Sequence, residues 1–170
     1  SLWQLLRDFV QVCRAVDFAN SRGVVHCDLK PGNILLGGFG EVLVVDWGVA
    51  YSADDDFTPR GGTPGYLAPE QLFPDSHRFA ATTDVFSLGA ILYEIVSGKQ
   101  AFVGQSVTAL MQLRHDHASG RFELGAPEST TDKEVPTALA AITMRAMALA
   151  PLDRWQAAGD LAAAVEAQLE

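Results

Sequence analysis

The chain has 170 residues, enough for one domain that buries roughly 68–70% of its unfolded surface, and an apolar share of 48% without any low-complexity run argues against disorder. A formal charge of −9, with twelve basic residues scattered rather than gathered into a stripe, removes the attraction that nucleic-acid binding requires and gives no pull toward an anionic membrane. No apolar run approaches the roughly 20 residues of a membrane span, and Cys13 and Cys27 have no spacing that suggests zinc or a disulfide framework. With no signal peptide in view, a reducing cytoplasmic setting is expected.

Along the chain, Leu2, Leu5, Leu6, Phe9, Val12, Cys13 and Val16 recur at helical spacing until Gly23, which predicts a long helix over residues 2–22. Ile34-Leu35-Leu36 and Val42-Leu43-Val44-Val45 are short branched runs around Gly37-Gly38-Phe39-Gly40, the pattern of a hairpin. Residues 51–60 turn polar, with Asp54-Asp55-Asp56 and Pro59, and are expected to form a mobile loop. Helical spacing returns over residues 82–96, 106–117, 136–149 and 155–169, with Gly or Pro at the breaks. The alanine-rich stretch 157–168 keeps its apolar residues on one face, which favours a core-facing last helix over a partner-binding one. The sum is one mainly α domain over residues 1–170, with a small hairpin and no repeat or linker.

Three strings stand out in order: His26-Cys27-Asp28-Leu29-Lys30-Pro31-Gly32-Asn33, Asp46-Trp47-Gly48, and Gly62-Thr63-Pro64-Gly65-Tyr66-Leu67-Ala68-Pro69-Glu70. Alone, Asp46 before Trp47-Gly48 would be an ordinary strand-ending turn. The combination resembles the catalytic core of a protein kinase, and the likeness runs through the whole chain. It implies a kinase-like large (C-terminal) lobe with a hairpin at its catalytic loop, ATP and Mg²⁺ as cofactors, and a protein substrate. Lys30 and Thr63 resemble the serine/threonine class, so Ser and Thr acceptors are implied.

By that resemblance, Asp28 accepts the substrate hydroxyl proton, Lys30 reaches the transferring phosphoryl group, and Asn33 and Asp46 ligate magnesium. Thr63 joins Asp28 and Lys30 in the acceptor platform. His26 opens the catalytic loop and belongs to its structural frame. Asp84, within Thr83-Asp84-Val85-Phe86-Ser87-Leu88-Gly89, accepts backbone N–H bonds from the catalytic loop, the competing reading being a plain helix N-cap. Glu70 pairs with Arg154 of Asp153-Arg154-Trp155 as a structural ion pair. Trp47 and Gly48 open the activation loop, on which Ser52 and Thr58 are the phosphorylation candidates.

The chain also departs from the family pattern. Cys27 stands where most of these kinases carry an arginine that grips a phosphate on the activation loop, so control without phosphate docking at that point is expected; a redox thiol beside the base is the rival reading. Trp47 replaces the usual phenylalanine. Gly32 occupies the place where many kinases that select basic residues carry glutamate, which argues against arginine-directed specificity. The Asp-Trp-Gly variant and the Pro151-Leu152-Asp153-Arg154-Trp155 ending resemble bacterial kinases of the eukaryotic type.

No glycine-rich loop, strand lysine or lysine-pairing glutamate precedes His26, so the N-terminal, ATP-covering lobe is missing from these residues. The expectation is a serine/threonine kinase large lobe that, as 170 residues alone, binds Mg-ATP poorly and transfers negligible phosphate. The alternative is a non-catalytic, kinase-derived binding module, in which the truncation is natural.

Overall fold

The computed structural model describes residues 1–52, 61–73 and 79–170. It is mainly helical: α1 (Leu2–Ser21), β1 (Val24–Val25), β2 (Ile34–Leu36), β3 (Val42–Val44), β4 (Tyr51–Ser52), α2 (Ala81–Ser97), α3 (Val107–Ala118), α4 (Thr137–Ala146) and α5 (Ala158–Glu166). Short 3₁₀ turns cover Pro31–Asn33, Pro69–Leu72 and Pro151–Asp153, each opened by a proline, whose fixed φ suits a helical first position.

Helix α2 is the axis of the fold. Its stretch from Thr83 to Tyr93 is buried without a break, as expected of a helix covered on all sides rather than amphipathic. It stops at Gly98, whose φ of 80° lies in the left-handed region and whose N–H donates to Glu94 O at 2.8 Å. Against it pack α1, through Leu6, Phe9, Val12, Cys13 and Val16, and α5, through Leu161, Ala162 and Val165. The alanine-rich helix therefore faces the core. Asp17 of α1 also accepts the Gly159 N–H at 3.0 Å, satisfying one orphan donor in the first turn of α5.

Strands β2 and β3 form the expected hairpin, with Ile34 opposite Val44 and Leu36 opposite Val42. The segment expected as a loop from Tyr51 is different at its start. Tyr51 and Ser52 pair antiparallel with Val25 and Val24, and Tyr51 is buried with Val25, Cys27 and Phe79 in a small second cluster. A two-residue pairing has no periodicity to read. The remaining loop residues, including Thr58, lie outside the described residues.

Two helices are shorter than their sequence pattern. Residues 136–149 were expected as one helix, yet α4 ends at Ala146 because the carbonyls of Ala148 and Leu149 turn to the Arg154 guanidinium, at 2.7 and 3.0 Å. Residues 155–157 stay out of α5 because Trp155 Nε1 donates to Ile142 O at 3.1 Å and Ala157 is extended. Tertiary partners override local propensity at both ends.

Helix α4 approaches α2 closely at Gly89. A Cβ built there would lie 2.7 Å from Met147 Cγ and 2.8 Å from Ala146 Cβ. Gly89→Ala gains about 1 kcal/mol of helix propensity but overpacks a contact at a cost of about 1–3 kcal/mol. A lower urea midpoint is expected, and a variant of wild-type stability or better would contradict the close approach.

Candidate active site

The chain between α1 and β2 carries the reactive string, and a buried carboxylate holds it in place. Asp84 accepts the His26 N–H at 2.8 Å and Asn20 Nδ2–H at 2.9 Å on Oδ2, and the Cys27 N–H at 3.1 Å on Oδ1. Burial pushes its carboxyl above the ordinary range, while the three donors pull toward the ionised form. The N-cap of α2 is Ala80, so Asp84 serves the loop rather than its own helix end. The buried His26 ring spans the next gap: Nε2–H donates to Val45 O at 2.9 Å and Nδ1 accepts the Asp28 N–H at 3.1 Å. These fixed partners set the tautomer. The ring also lies 4.4 Å from that of Trp47, tying the first string to the second.

Cys27 and Asp46 adopt φ values of 69° and 60°. A side chain in this left-handed region costs about 1–2 kcal/mol, and here both residues adjoin or belong to the reactive groups. Cys27 is buried, its thiol donates to Val25 O at 3.6 Å, and burial pushes its pKa upward. A covered thiol with a raised pKa lacks the exposed thiolate character that redox switching draws on.

Around Asp28 the geometry is tight. Asp28 Oδ1 accepts the Thr63 hydroxyl at 2.9 Å, Lys30 Nζ donates to Thr63 Oγ1 at 2.8 Å, and Lys30 Nζ stands 3.9 Å from Asp28 Oδ2. Asn33 Nδ2 donates to Asp28 O at 2.8 Å, which leaves Asn33 Oδ1 as the atom available to a cation. Asp46 is exposed, and the Val45 N–H donates to Asn33 O at 2.9 Å, so the two candidate oxygen donors ride on bonded segments. Among the described residues no group of three His, Cys, Asp or Glu side chains gathers as a metal cage. An amide oxygen and a carboxylate fit Mg²⁺, which takes its remaining ligands from water and phosphate.

The third string lies over this loop. Gly62, at φ 105°, is required: a Cβ would sit 2.3 Å from Leu67 Cδ2 and 3.0 Å from Cys27 O. Glu70 and Arg154 meet as a buried bidentate pair at 2.8 and 3.0 Å. The other guanidinium donors reach Thr82 O, Ala148 O and Leu149 O, and Thr83 Oγ1 donates to Glu70. Ser87 Oγ donates to Tyr66 O at 2.8 Å. Ser52 lies in β4, paired to the strand before His26.

Several positioning groups escaped the sequence reading. Asn20 steadies Asp84 and the Val24 carbonyl but sits at an unremarkable helix end. Gln71 binds the catalytic loop from the turn after Pro69. Arg114 is fully buried without a carboxylate partner among the described residues; its guanidinium donates to Pro64 O and Leu67 O and lies 4.0 Å over the Phe102 ring. Desolvation lowers its pKa to about 9, so it stays charged at neutral pH. Leu110, Arg114 and His117 at helical spacing were the available signal that this cation faces inward.

Residues 3–162 match the protein kinase domain family, and the chain belongs to it. It is 34% identical to the serine/threonine-protein kinase PknD of Chlamydia caviae and 34% identical to that of Protochlamydia amoebophila, with all of the chain and 20% and 19% of those proteins covered. To the serine/threonine-protein kinase PknB of Mycobacterium leprae it is 32% identical, with 94% of the chain and 25% of that protein covered. The chain thus spans about a fifth to a quarter of the length of these relatives, and its mainly helical fold is that of a protein kinase C-terminal lobe.

Breaking the buried pair with Arg154→Ala strands the Glu70 carboxylate, at an expected cost of about 3–5 kcal/mol; wild-type melting and protease resistance would refute this. His117 is buried, and desolvation together with the charges of Arg114 and Arg154 lowers its pKa from 6.5 to about 4. Between these values the unfolded chain binds more protons. The stability that this group contributes is therefore full above pH 6.5 and falls as pH drops toward about 4. His117→Gln should flatten that slope in denaturant titrations at successive pH values.

Proposed function

We propose that the protein carrying this chain transfers the γ-phosphoryl group of ATP to Ser or Thr hydroxyls of a protein substrate. The observation that carries this reading is the Asp28–Thr63–Lys30 triangle, in which a carboxylate, a hydroxyl and an ammonium lie within 2.8–3.9 Å of one another.

Asp28 orients the acceptor hydroxyl and takes its proton at a carboxylate oxygen, while Lys30 stands where negative charge builds on the transferring group. Thr63 bridges the two and fixes the floor on which the acceptor segment lies. Asn33 Oδ1 and the Asp46 carboxylate are the groups that would hold magnesium. Magnesium-ATP, when bound, supplies the reactive phosphoryl group and offsets its charge. Most of such catalysis is positioning, and the backbone clamps on residues 26–28 serve that purpose. A cytoplasmic setting, where ATP is at hand, is part of this reading.

The test is labelled-phosphate transfer by the full-length protein to a Ser/Thr peptide library. Asp28→Asn should lower kcat by about 10²–10⁴-fold, and Thr63→Ala should lower it less. Incorporation by Asp28→Asn equal to wild type, or none by either, would leave a non-catalytic binding module as the better reading.

A further inference from the structure

The peptide between Cys27 and Asp28 decides where the candidate base points, and it is held at both edges. Its N–H, that of Asp28, donates to His26 Nδ1 at 3.1 Å. Its carbonyl, that of Cys27, accepts Gln71 Nε2–H at 2.8 Å. The residue between Asp84's grip and that carbonyl is Cys27 itself, at φ 69°, a conformation that persists only where the surroundings over-determine it.

Gln71 occupies the third position of the turn Pro69–Leu72, and its Oε1 accepts the Ala68 N–H at 2.9 Å. That bond alone is the reach-back of an ordinary helix start, which glutamate makes equally well. The second bond is not. Ala68 offers a donor and Cys27 an acceptor, so a side chain that accepts at one end and donates at the other, as the glutamine amide does, is needed to span the two. Ala68 belongs to the string that carries Thr63, and Cys27 precedes Asp28; one side chain therefore links the acceptor platform to the base loop.

We infer that Gln71 is a positioning residue for phosphoryl transfer, its side-chain amide locking the Cys27–Asp28 peptide to the acceptor platform so that base and acceptor hydroxyl keep one register. The inference rests on the kinase reading for its consequence, but the lock itself is a property of the fold.

Gln71→Glu separates the two bonds: it keeps the acceptor toward Ala68 and replaces the donor toward Cys27 O with a second acceptor. Gln71→Met, of similar length, removes both and serves if the glutamate variant folds poorly. In the full-length protein, kcat of Gln71→Glu should fall about tenfold, the loss of roughly one well-placed hydrogen bond, with KM for ATP within about twofold, because Gln71 touches no nucleotide-binding group. Melting should fall by no more than several degrees, the cost of one acceptor left unpaired. Hydrogen exchange read by mass spectrometry should accelerate in peptides covering residues 26–33 and not in those from α1 or α5.

Unchanged kcat and exchange in both variants would overturn the inference. So would loss of activity accompanied by a larger loss of melting temperature and faster exchange throughout, which would mark a merely structural residue. If the wild-type protein transfers no phosphate, the kinase reading fails separately, and exchange decides alone: acceleration confined to residues 26–33 supports the lock, and none, or acceleration everywhere, overturns it.

Discussion

Asp84 is a carboxylate with no exposed surface, in the first turns of a helix that is itself buried on all sides, and its two oxygens hold the backbone of the segment that carries Asp28. Removing a charge from water costs several kcal/mol unless donors replace the lost hydration, and His26 N–H, Cys27 N–H and Asn20 provide them. The dependence is mutual. The loop satisfies the carboxylate, and the carboxylate fixes the loop in a left-handed conformation that Cys27 would not choose alone. Helix α2 serves as an anchor because α1, α4 and α5 pack around it.

Two buried arginines hold the acceptor platform by different means. Arg154 is neutralised by Glu70 and all five of its donors are used. Among the described residues Arg114 has no anion; carbonyl dipoles and the Phe102 and Phe86 rings compensate it there, and its Nε lacks a partner. The first arrangement favours a single geometry, since guanidinium and carboxylate fit as two parallel bonds. The second leaves a lowered pKa and a neighbouring neutral histidine, His117, as the signature of a cation held by dipoles.

The substitution of Cys27 for arginine is consistent with this inward construction. A charged side chain before the base would need a partner outside the loop, whereas the thiol is covered and bonded to Val25 O. What positions Asp28 here comes from below, through Asp84, and from the platform side, through Gln71.

Periodicity made the long helices and the hairpin legible, and residue type at fixed spacing made the candidate site residues legible. The helix over 2–22, the turn at Gly37–Gly40, and the grouping of Asp28, Lys30, Asn33 and Asp46 all rest on local pattern, because a helix face, a hairpin and a catalytic string are each written within a few consecutive residues. Where helices α4 and α5 end or begin was not written there: Arg154 and Trp155 claim carbonyls that local propensity would have left in a helix. Nor were the β1–β4 pairing, the cation on the inner face of α3, or the amide of Gln71 across from Cys27. The family was thus determined by the sequence itself, which also picked out the candidate groups. The clamps that aim those groups were decided only by tertiary structure, since each joins residues distant in the chain and its strength depends on burial, which no local pattern encodes.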